Sequence, residues 1–179
     1  MTDLDLILTA AREAGALALS AREGGLKVWS KEGGSPVTDA DLAVDALLKD
    51  RLGAARPGYG WLSEETADDP ARLATPRQFV VDPIDGTVAF IKGKPWFAVS
   101  IAVVENGRPV AGVVHAPALD ETYTAVAGGG ATLNGTAVSV MSSRPVCSLS
   151  FATMRSASAP MPTSTVMLRN PPAVICPAV

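Results

Sequence analysis

Three segments of the sequence each carry a pair of acidic residues. The pairs lie in "VTDAD", "LSEET" and "DPIDGT", and they are Asp39 and Asp41, Glu64 and Glu65, and Asp82 and Asp85. Each pair stands where an apolar run or a helical pattern meets a loop. No histidine pair or cysteine pair accompanies them, so the ligands on offer are carboxylate oxygens, which suit Mg²⁺ or Mn²⁺ and make zinc a poor fit. The pattern therefore predicts a site for a hard divalent cation.

The segment "DPIDGT" is the most informative of the three. We expect Asp82 to close a strand and Asp85 to follow a tight bend fixed by Pro83, so that the two carboxylates converge on ions. Gly86 then lets the backbone approach a ligand closely, and "TVAFI" opens a short helix whose first amides face the same point. Cations and a phosphate group would meet there.

Each acidic pair also has a structural explanation. A polar turn is an alternative for "DPIDGT", because Asp, Pro and Gly are common turn formers. Thr38 to Asp41 fits a helix capping box, and Glu64-Glu65 alone would be a solvated loop pair. The occurrence of all three segments in one chain favours the functional interpretation of Asp41 and Glu64, whereas Thr38 remains mainly a cap.

Periodicity predicts two helices followed by a sheet. Residues 4 to 22 and the segment "VTDADLAVDALLKDRLGAA" place apolar residues at helical spacing. The runs "WLS" and "QFVV" are predicted as buried strands, and Asn106-Gly107 predicts a type I′ hairpin between two β-rich runs. The segments "ETYTAVA" and "TAVSV" predict two more strands, while "REGGLKVWSKEGGSP" and "GGGATLNG" are predicted as loops. The only histidine, His115, and the aromatic pair Trp96 and Phe97 are interpreted as structural or core residues.

Length, charge and cysteine content exclude several classes of protein. A chain of 179 residues suits one globular unit. A net charge of −3 without a basic run argues against binding to a nucleic acid polymer or an anionic membrane. The first segment lacks the basic start of a signal peptide, and the sequence has no run of apolar residues long enough to span a membrane. The cysteines, Cys147 and Cys176, show no metal-ligand spacing, so we expect a cytoplasmic protein.

The chain is similar to the inositol monophosphatase superfamily of Mg²⁺-dependent, lithium-sensitive phosphatases. The resemblance rests on "SPVTDAD", "WLSEE", "DPIDGTVAFIKGKPWFAVSIAVV" and "GVVHAPALDETYTAVAGGGATLNG", which lie in the family's order between residues 5 and 140. It implies an α/β, layered sugar-phosphatase fold, of which this chain contains the N-terminal half with two long helices on an antiparallel or mixed sheet.

The resemblance also implies roles for individual residues. Glu64, Asp82 and the backbone carbonyl of Ile84 would hold one Mg²⁺ ion, and Asp82 and Asp85 a second. Glu65 would tune the site, and Lys31 is either a basic residue near it or a surface lysine. The residues implied in catalysis are Asp41, Glu64 and Thr87, and those implied at the substrate phosphate are Asp85, Gly86 and Thr87.

The implied activity is hydrolysis of a small phosphate monoester by metal-activated water. In this chemistry one ion lowers the pKa of a water molecule and another stabilises the leaving alkoxide. Inositol monophosphate and adenosine 3′,5′-bisphosphate are competing substrates. Two further hypotheses stay open: a non-catalytic remnant that binds metal or phosphate, and a scaffold or dimerisation module.

The sequence departs from the family after Val140. Family members continue with another metal-binding Asp in a "W-D-x-A" motif, and no such motif follows here. We expect residues 1–140 to form the family's N-terminal domain, residues 141–179 to be an irregular tail rich in Ser, Pro and Ala, and the family's C-terminal domain to be absent. This expectation predicts weak activity and an exposed apolar sheet surface that favours aggregation or association with another chain, such as a homodimer.

Overall fold

The computed structural model describes residues 1–31 and 34–139. In this part of the chain three α-helices span Asp3–Gly24 (α1), Asp39–Ala55 (α2) and Thr87–Ile91 (α3), and a 3₁₀ helix spans Pro70–Ala74. The strands, in chain order from β1 to β9, are Val28–Ser30, Pro36–Thr38, Gly60–Ser63, Arg77–Asp85, Ala98–Glu105, Arg108–Ala116, Glu121–Val126, Gly130–Leu133 and Thr136–Val138. The predicted tail and both cysteines lie outside the described residues.

Seven strands form one mixed sheet in the order β3-β4-β5-β6-β7-β8-β9. The pair β3 and β4 is parallel, and every later pair is antiparallel. Helix α1 packs against β5 and β6, and α2 packs against α1 and β4. This is the predicted α/β arrangement of two long helices on a mixed sheet. Within the described residues, no helix is both long and apolar enough to cross a membrane.

The core lies between the two long helices and the sheet. Its helical members recur every three or four positions, and its strand members alternate, because these are the periods that bring side chains to one face. Burying each large apolar side chain stabilises the fold by about 1.5–3 kcal/mol. The fully buried large residues include Ile7, Val44, Leu48, Leu52, Phe79, Val81, Val99, Ile101 and Val103.

Local signals in the sequence fix the helix starts and the central hairpin. Thr2 caps α1 through a reciprocal capping box with Asp5, and Thr38 does the same for α2. Asn106 and Gly107 have φ of 48° and 77°, which are the positive values that a type I′ turn requires. The predicted hairpin between β5 and β6 is confirmed.

Four details of the fold differ from the sequence-based expectations. The segment predicted as a loop before α2 contains strand β1 and the first residue of β2, which pair as a hairpin, and "GGGATLNG" contributes strand β8. Strands β1 and β8 are short and lack a buried apolar face, so their periodicity is too weak to be read. Strand β4 continues through Asp85 instead of ending at Asp82. Trp96 is 52% exposed and is not a core residue, whereas Phe97 is buried.

The packing of α1 on β6 makes a specific prediction for Gly15. A Cβ atom built at Gly15 would lie 2.7 Å from Cδ2 and 2.9 Å from Nε2 of His115, and 3.0 Å from Cβ of Pro117. The buried imidazole is held in place because its Nδ1 lies 3.0 Å from Oγ1 of Thr122. We expect Gly15→Ala to lower the free energy of unfolding by about 1–3 kcal/mol, since overpacking outweighs the gain in helix propensity. Urea denaturation measures the change.

Gly53 provides the matched control for this prediction. It lies in α2, and a Cβ atom there would meet no atom within 4 Å. Gly53→Ala should therefore raise the free energy of unfolding by up to about 1 kcal/mol through helix propensity alone. A Gly15→Ala protein as stable as Gly53→Ala would contradict the close contact with His115.

Candidate active site

Asp41 lies at the first turn of α2 and uses its two carboxylate oxygens differently. Its Oδ2 accepts hydrogen bonds from the backbone N–H of Thr38 at 2.8 Å and from the Thr38 hydroxyl at 2.5 Å. Its Oδ1 lies 3.5 Å from the hydroxyl of Thr87. The carboxylate is buried, at 1% exposure. The capping interpretation is therefore correct, and it leaves one oxygen of Asp41 facing a second predicted site residue.

Thr87 joins two predicted site residues at the start of α3. Its hydroxyl donates to the carbonyl oxygen of Ile84 at 3.1 Å and also faces Asp41. A threonine hydroxyl has a single proton, so it can donate to one of these two oxygens at a time. Gly86, with φ of 91°, allows the chain to turn from β4 into α3 and bring Thr87 back over Ile84. Asp41, Ile84 and Thr87 thus meet at one point.

The segment that carries Asp82 and Asp85 is a bulged strand end. Asp82 pairs with Ser100 of β5, while Asp85 pairs with Ala98, so β4 advances three residues where β5 advances two. This extra residue is a β-bulge, a feature that redirects side chains at the end of a strand. The prediction of a tight bend between Asp82 and Asp85 is therefore wrong. The strand is bulged there, and the turn into α3 follows Asp85.

Glu64 and Glu65 reach the same edge of the sheet because β3 and β4 are parallel. Ser63, the last residue of β3, pairs with Val81, and the backbone N–H of Glu64 donates to the Val81 carbonyl at 3.3 Å. The carboxyl ends of parallel neighbours point the same way, so Glu64 follows β3 beside the point where Asp82 follows Val81. Parallel pairing is the reason that two distant acidic segments meet.

Lys31 lies at the acidic cluster, which consists of Asp41, Glu64, Glu65, Asp82 and Asp85. Its ammonium contacts Oε1 of Glu65 at 2.6 Å and lies 3.8 Å from Oε1 of Glu64. Of the two alternatives for this lysine, the structure supports a position near the site. Within the part of the chain that the structure describes, Lys31 is the cation that forms ion pairs with the cluster, so the negative charge is largely uncompensated.

The pKa values of the cluster show the effect of this uncompensated charge. Burial, followed by the neighbouring carboxylates of Glu64 and Asp85, raises the pKa of Asp82 to about 8. Burial and the charge of Glu64 also raise the pKa of Asp85. Burial raises the pKa of Glu65, although its hydrogen bond with Lys31 opposes the shift. Groups that are driven to hold protons in this way become ionised readily when a cation binds.

The carboxylate oxygens of the cluster suit an open Mg²⁺ site, in which water completes the coordination, better than a metal site enclosed by protein ligands alone. Among the described residues, no three His, Cys, Asp or Glu side chains are arranged as a ready-made metal cage. Mg²⁺ keeps several waters and commonly takes one or two carboxylates, so it does not need such a cage. Beside the cluster, an open pocket of about 330 Å³ is lined by Trp29, Lys31, Val37, Leu42, Glu64, Glu65, Thr66 and Ala67. Water and a ligand therefore have access to Glu64 and Glu65 from this pocket.

The raised pKa of Asp82 predicts how stability depends on pH without metal. The folded state holds a proton on Asp82 up to about pH 8, whereas the unfolded state releases it near the ordinary value of 3.8. The folded state therefore binds more protons between these values, and the free energy of unfolding should fall as pH rises from about 4 to about 8. Urea denaturation in the presence of a chelator measures this slope. A flat or rising profile for the metal-free protein would contradict the clustering of carboxylates.

Sequence reasoning missed a second buried carboxylate beside the site. Asp45, one helical turn after Asp41, is 7% exposed and is bound by the hydroxyls of Ser63 and Thr66. The signal was present in the spacing, because residues four apart lie on the same helix face. It could not be read without knowing that this face meets the end of β3.

Solved structures with the same fold define the class to which this architecture belongs. The extragenic suppressor protein suhB of Bartonella henselae matches with a TM-score of 0.73 and 35% identity, over 78% of this chain and 55% of that one. An IMPase of Thermotoga maritima matches with a TM-score of 0.72 and 35% identity, over 80% of this chain and 55% of that one. The helices and the mixed sheet are thus those of the inositol monophosphatase fold.

Sequence comparison gives the same result more specifically. The sequence profile of the inositol monophosphatase family matches residues 3–173, and the chain belongs to this family. The match extends past residue 140, beyond the sequence segments that carry the resemblance to the family. An inositol-1-monophosphatase of Mesorhizobium japonicum is 45% identical over 109 residues, which are 61% of this chain and 41% of that protein.

Relatives named for other activities are similarly close. A histidinol-phosphatase of Chlorobaculum parvum is 40% identical over 139 residues, which are 77% of this chain and 53% of the relative. The 3′(2′),5′-bisphosphate nucleotidase CysQ of Escherichia coli K12 is 39% identical over 130 residues, 70% of this chain and 52% of the relative. The chain spans about half the length of these curated relatives.

Proposed function

We propose that this chain binds Mg²⁺ at Glu64, Asp82 and Asp85 and acts in the hydrolysis of a small phosphate monoester. The observation that carries the proposal is the meeting of these carboxylates at the ends of β3 and β4, where burial and then the charges of Glu64 and Asp85 raise the pKa of Asp82 to about 8. Such repulsion is costly unless a cation neutralises it. Bound Mg²⁺ would supply a Lewis acid that lowers the pKa of water and stabilises charge on the phosphoryl and leaving oxygens.

The residues of the site have separate proposed roles in metal binding and in activating water. Asp82 would be shared by both ions, and the Ile84 carbonyl would add a neutral oxygen to the first ion, as the family resemblance implies. In this structure the Thr87 hydroxyl donates a hydrogen bond to the carbonyl oxygen of Ile84, at 3.1 Å. Turned instead toward Oδ1 of Asp41, 3.5 Å away, the hydroxyl would offer a lone pair to an attacking water and transfer the excess proton to the carboxylate.

The phosphate contact is proposed from the family resemblance. Asp85, Gly86 and Thr87 would face the phosphoryl group, with the amides of Gly86 and Thr87 as donors. Helix α3 has only five residues, so its dipole contributes little, and the individual N–H groups would have to supply the binding. Lys31 is paired with Glu65 and is proposed to limit the net charge of the site.

The substrate is proposed as a class: a phosphate monoester with a small alcohol as leaving group. The lining of the pocket beside the cluster includes the charged residues Lys31, Glu64 and Glu65 and the apolar residues Trp29, Val37 and Leu42. Trp29 is 42% exposed. Inositol monophosphate, adenosine 3′,5′-bisphosphate and histidinol phosphate are the three substrates to compare, because the relatives' names include these activities.

The test is Mg²⁺-dependent phosphate release by the purified chain with each of the three substrates, together with calorimetric Mg²⁺ titration. We expect saturable Mg²⁺ binding and release of phosphate that depends on Mg²⁺. Binding without release would favour the non-catalytic remnant, and the absence of both would leave the scaffold hypothesis. Mg²⁺ binding that is unchanged in Asp85→Asn would show that the site lies elsewhere.

The proposal has consequences for location and partners. A metabolite phosphatase of this kind fits the cytoplasm, and we propose that location. The expected partner is the small phosphate monoester, without a nucleic acid polymer or a membrane, and a homodimer is a further proposal. Sedimentation of the purified chain tests the oligomeric state.

A further inference from the structure

Asp45 is a buried carboxylate whose presence on α2 the fold alone does not explain. It is 7% exposed and lies four residues after Asp41, so two like charges share one face of the helix. Like charges at this spacing destabilise a helix, and aspartate is seldom buried unless it is paired. In the described part of the chain, no lysine, arginine or histidine lies within ion-pair distance of Asp45.

The partners of Asp45 are hydroxyl groups on both sides of Glu64 and Glu65. The Ser63 hydroxyl donates to Oδ1 of Asp45, and the Thr66 hydroxyl donates to Oδ2 at 2.5 Å. The Ser63 oxygen in turn accepts from the backbone N–H of Glu65 at 3.2 Å. Asp45 therefore fixes the residue before and the residue after the acidic pair. Hydrogen bonds to a charged acceptor are among the stronger ones in proteins.

The segment between these two hydroxyls needs such support. The Glu64 side chain is 44% exposed. Its backbone is held by the carbonyl of Val81 at 3.3 Å and by Lys31 at 3.4 Å. An exposed glutamate on a loop samples many rotamers, and a metal ligand that is loosely held loses affinity. The bonds from Asp45 restrict the backbone from which Glu64 extends.

We propose that Asp45, with Ser63 and Thr66, is a positioning unit that sets the Mg²⁺ affinity of the site by holding the Glu64 loop. The proposal rests on the proposed function, in which Glu64 is a metal ligand. Asp41 and Asp45 would then connect α2 to both halves of the site, one to Thr87 and the other to the end of β3. Groups that orient a ligand without touching the metal typically change its affinity by about 10–100-fold when they are removed.

Thr66→Val is the sharpest variant, because it removes one hydroxyl while leaving every charge and nearly all the volume in place. We expect its dissociation constant for Mg²⁺, measured by calorimetry, to rise by about 10-fold or more, and that of Asp45→Ala to rise further. Asp45→Asn should recover most of the affinity, since its amide can accept from Ser63 and donate to Thr66. In the metal-free protein, the amide of Glu65 should exchange faster in Thr66→Val and Asp45→Ala.

Two control variants on the same helix separate positioning from other effects. Asp50→Asn removes an exposed charge from α2, and Leu48→Ala destabilises the core beneath it. Both should bind Mg²⁺ like the unaltered chain. If Leu48→Ala weakens binding as much as Thr66→Val at equal loss of stability, or if Asp45→Asn behaves like Asp45→Ala, the positioning role is wrong.

Asp82→Asn in the same series distinguishes this proposal from the proposed function. If the unaltered chain binds Mg²⁺ and Asp82→Asn does not, while Thr66→Val binds normally, only the role of Asp45 is overturned. If the unaltered chain shows no Mg²⁺ binding, both proposals fail together.

Discussion

Asp82→Asn is expected to remove Mg²⁺ binding while making the metal-free protein more stable at pH 8. Asp82 is the ligand that both proposed ions share, so its loss should raise the dissociation constant by more than about 100-fold, beyond what the loss of a supporting residue costs. Any Mg²⁺-dependent phosphate release should disappear with it. Without metal, however, burial and then the neighbouring charges of Glu64 and Asp85 raise the pKa of this carboxyl group to about 8. A neutral amide of the same shape removes that repulsion.

Calorimetry checks the loss of Mg²⁺ binding, and urea denaturation at pH 5 and pH 8 checks the gain in stability of the metal-free protein. The stability gain should be larger at pH 8, because Asp82 is protonated at pH 5 in the folded state and already carries no charge there. Asp50→Asn, on the exposed face of α2, is the control for loss of one negative charge. Mg²⁺ binding in Asp82→Asn at the unaltered affinity would refute the proposed site. A variant that is destabilised at pH 8 would contradict the electrostatic account.

Gly86→Ala is expected to destabilise the fold by about 3–5 kcal/mol, which is a large share of the stability of a typical domain. Gly86 has φ of 91°, a conformation that strains any residue with a Cβ atom. The added carbon would also lie 2.7 Å from the carbonyl oxygen of Trp96 and 3.4 Å from Cα of Phe97. These are backbone atoms of the two residues before β5, so they cannot move aside as a flexible side chain would.

Gly93→Ala separates the two causes of this effect. Gly93 also has a positive φ, of 67°, but a Cβ atom there would meet nothing within 4 Å. It should cost only the backbone strain, about 1–2 kcal/mol. Thermal and urea unfolding of both variants give the comparison. Equal losses of stability in the two variants would contradict a destabilising contact between the added Cβ atom of Gly86→Ala and the Trp96 carbonyl.

The elements that the sequence predicts correctly are those specified by neighbouring residues. Capping at Thr38, the helical period of α1 and α2 and the Asn106-Gly107 turn depend on contacts within a few positions, so single-sequence patterns report them. The acidic segments could also be identified locally, by residue type and by their order along the chain. The expectations about the domain boundary near residue 140 and about the tail remain predictions, because they fall on residues outside the described part.

The features that required the tertiary structure all depend on register between distant segments. Parallel pairing of β3 with β4 decides that Glu64 stands beside Asp82, and the bulge decides where Asp85 lies. Neither follows from composition, since shifting a strand by one residue turns every side chain to the other face. Trp96 is exposed for the same kind of reason: its neighbour Phe97 takes the inward position.

The electrostatic properties of the site are likewise determined by the tertiary structure. The sequence by itself determined which oxygen ligands are available and that a hard cation suits them. Only the folded chain decided that one oxygen of Asp41 caps a helix while the other faces Thr87, and that Asp45 holds the Glu64 loop. Charge interactions and burial depend on distance in space, and residues 41, 64 and 82 become neighbours only when the sheet and α2 have packed together.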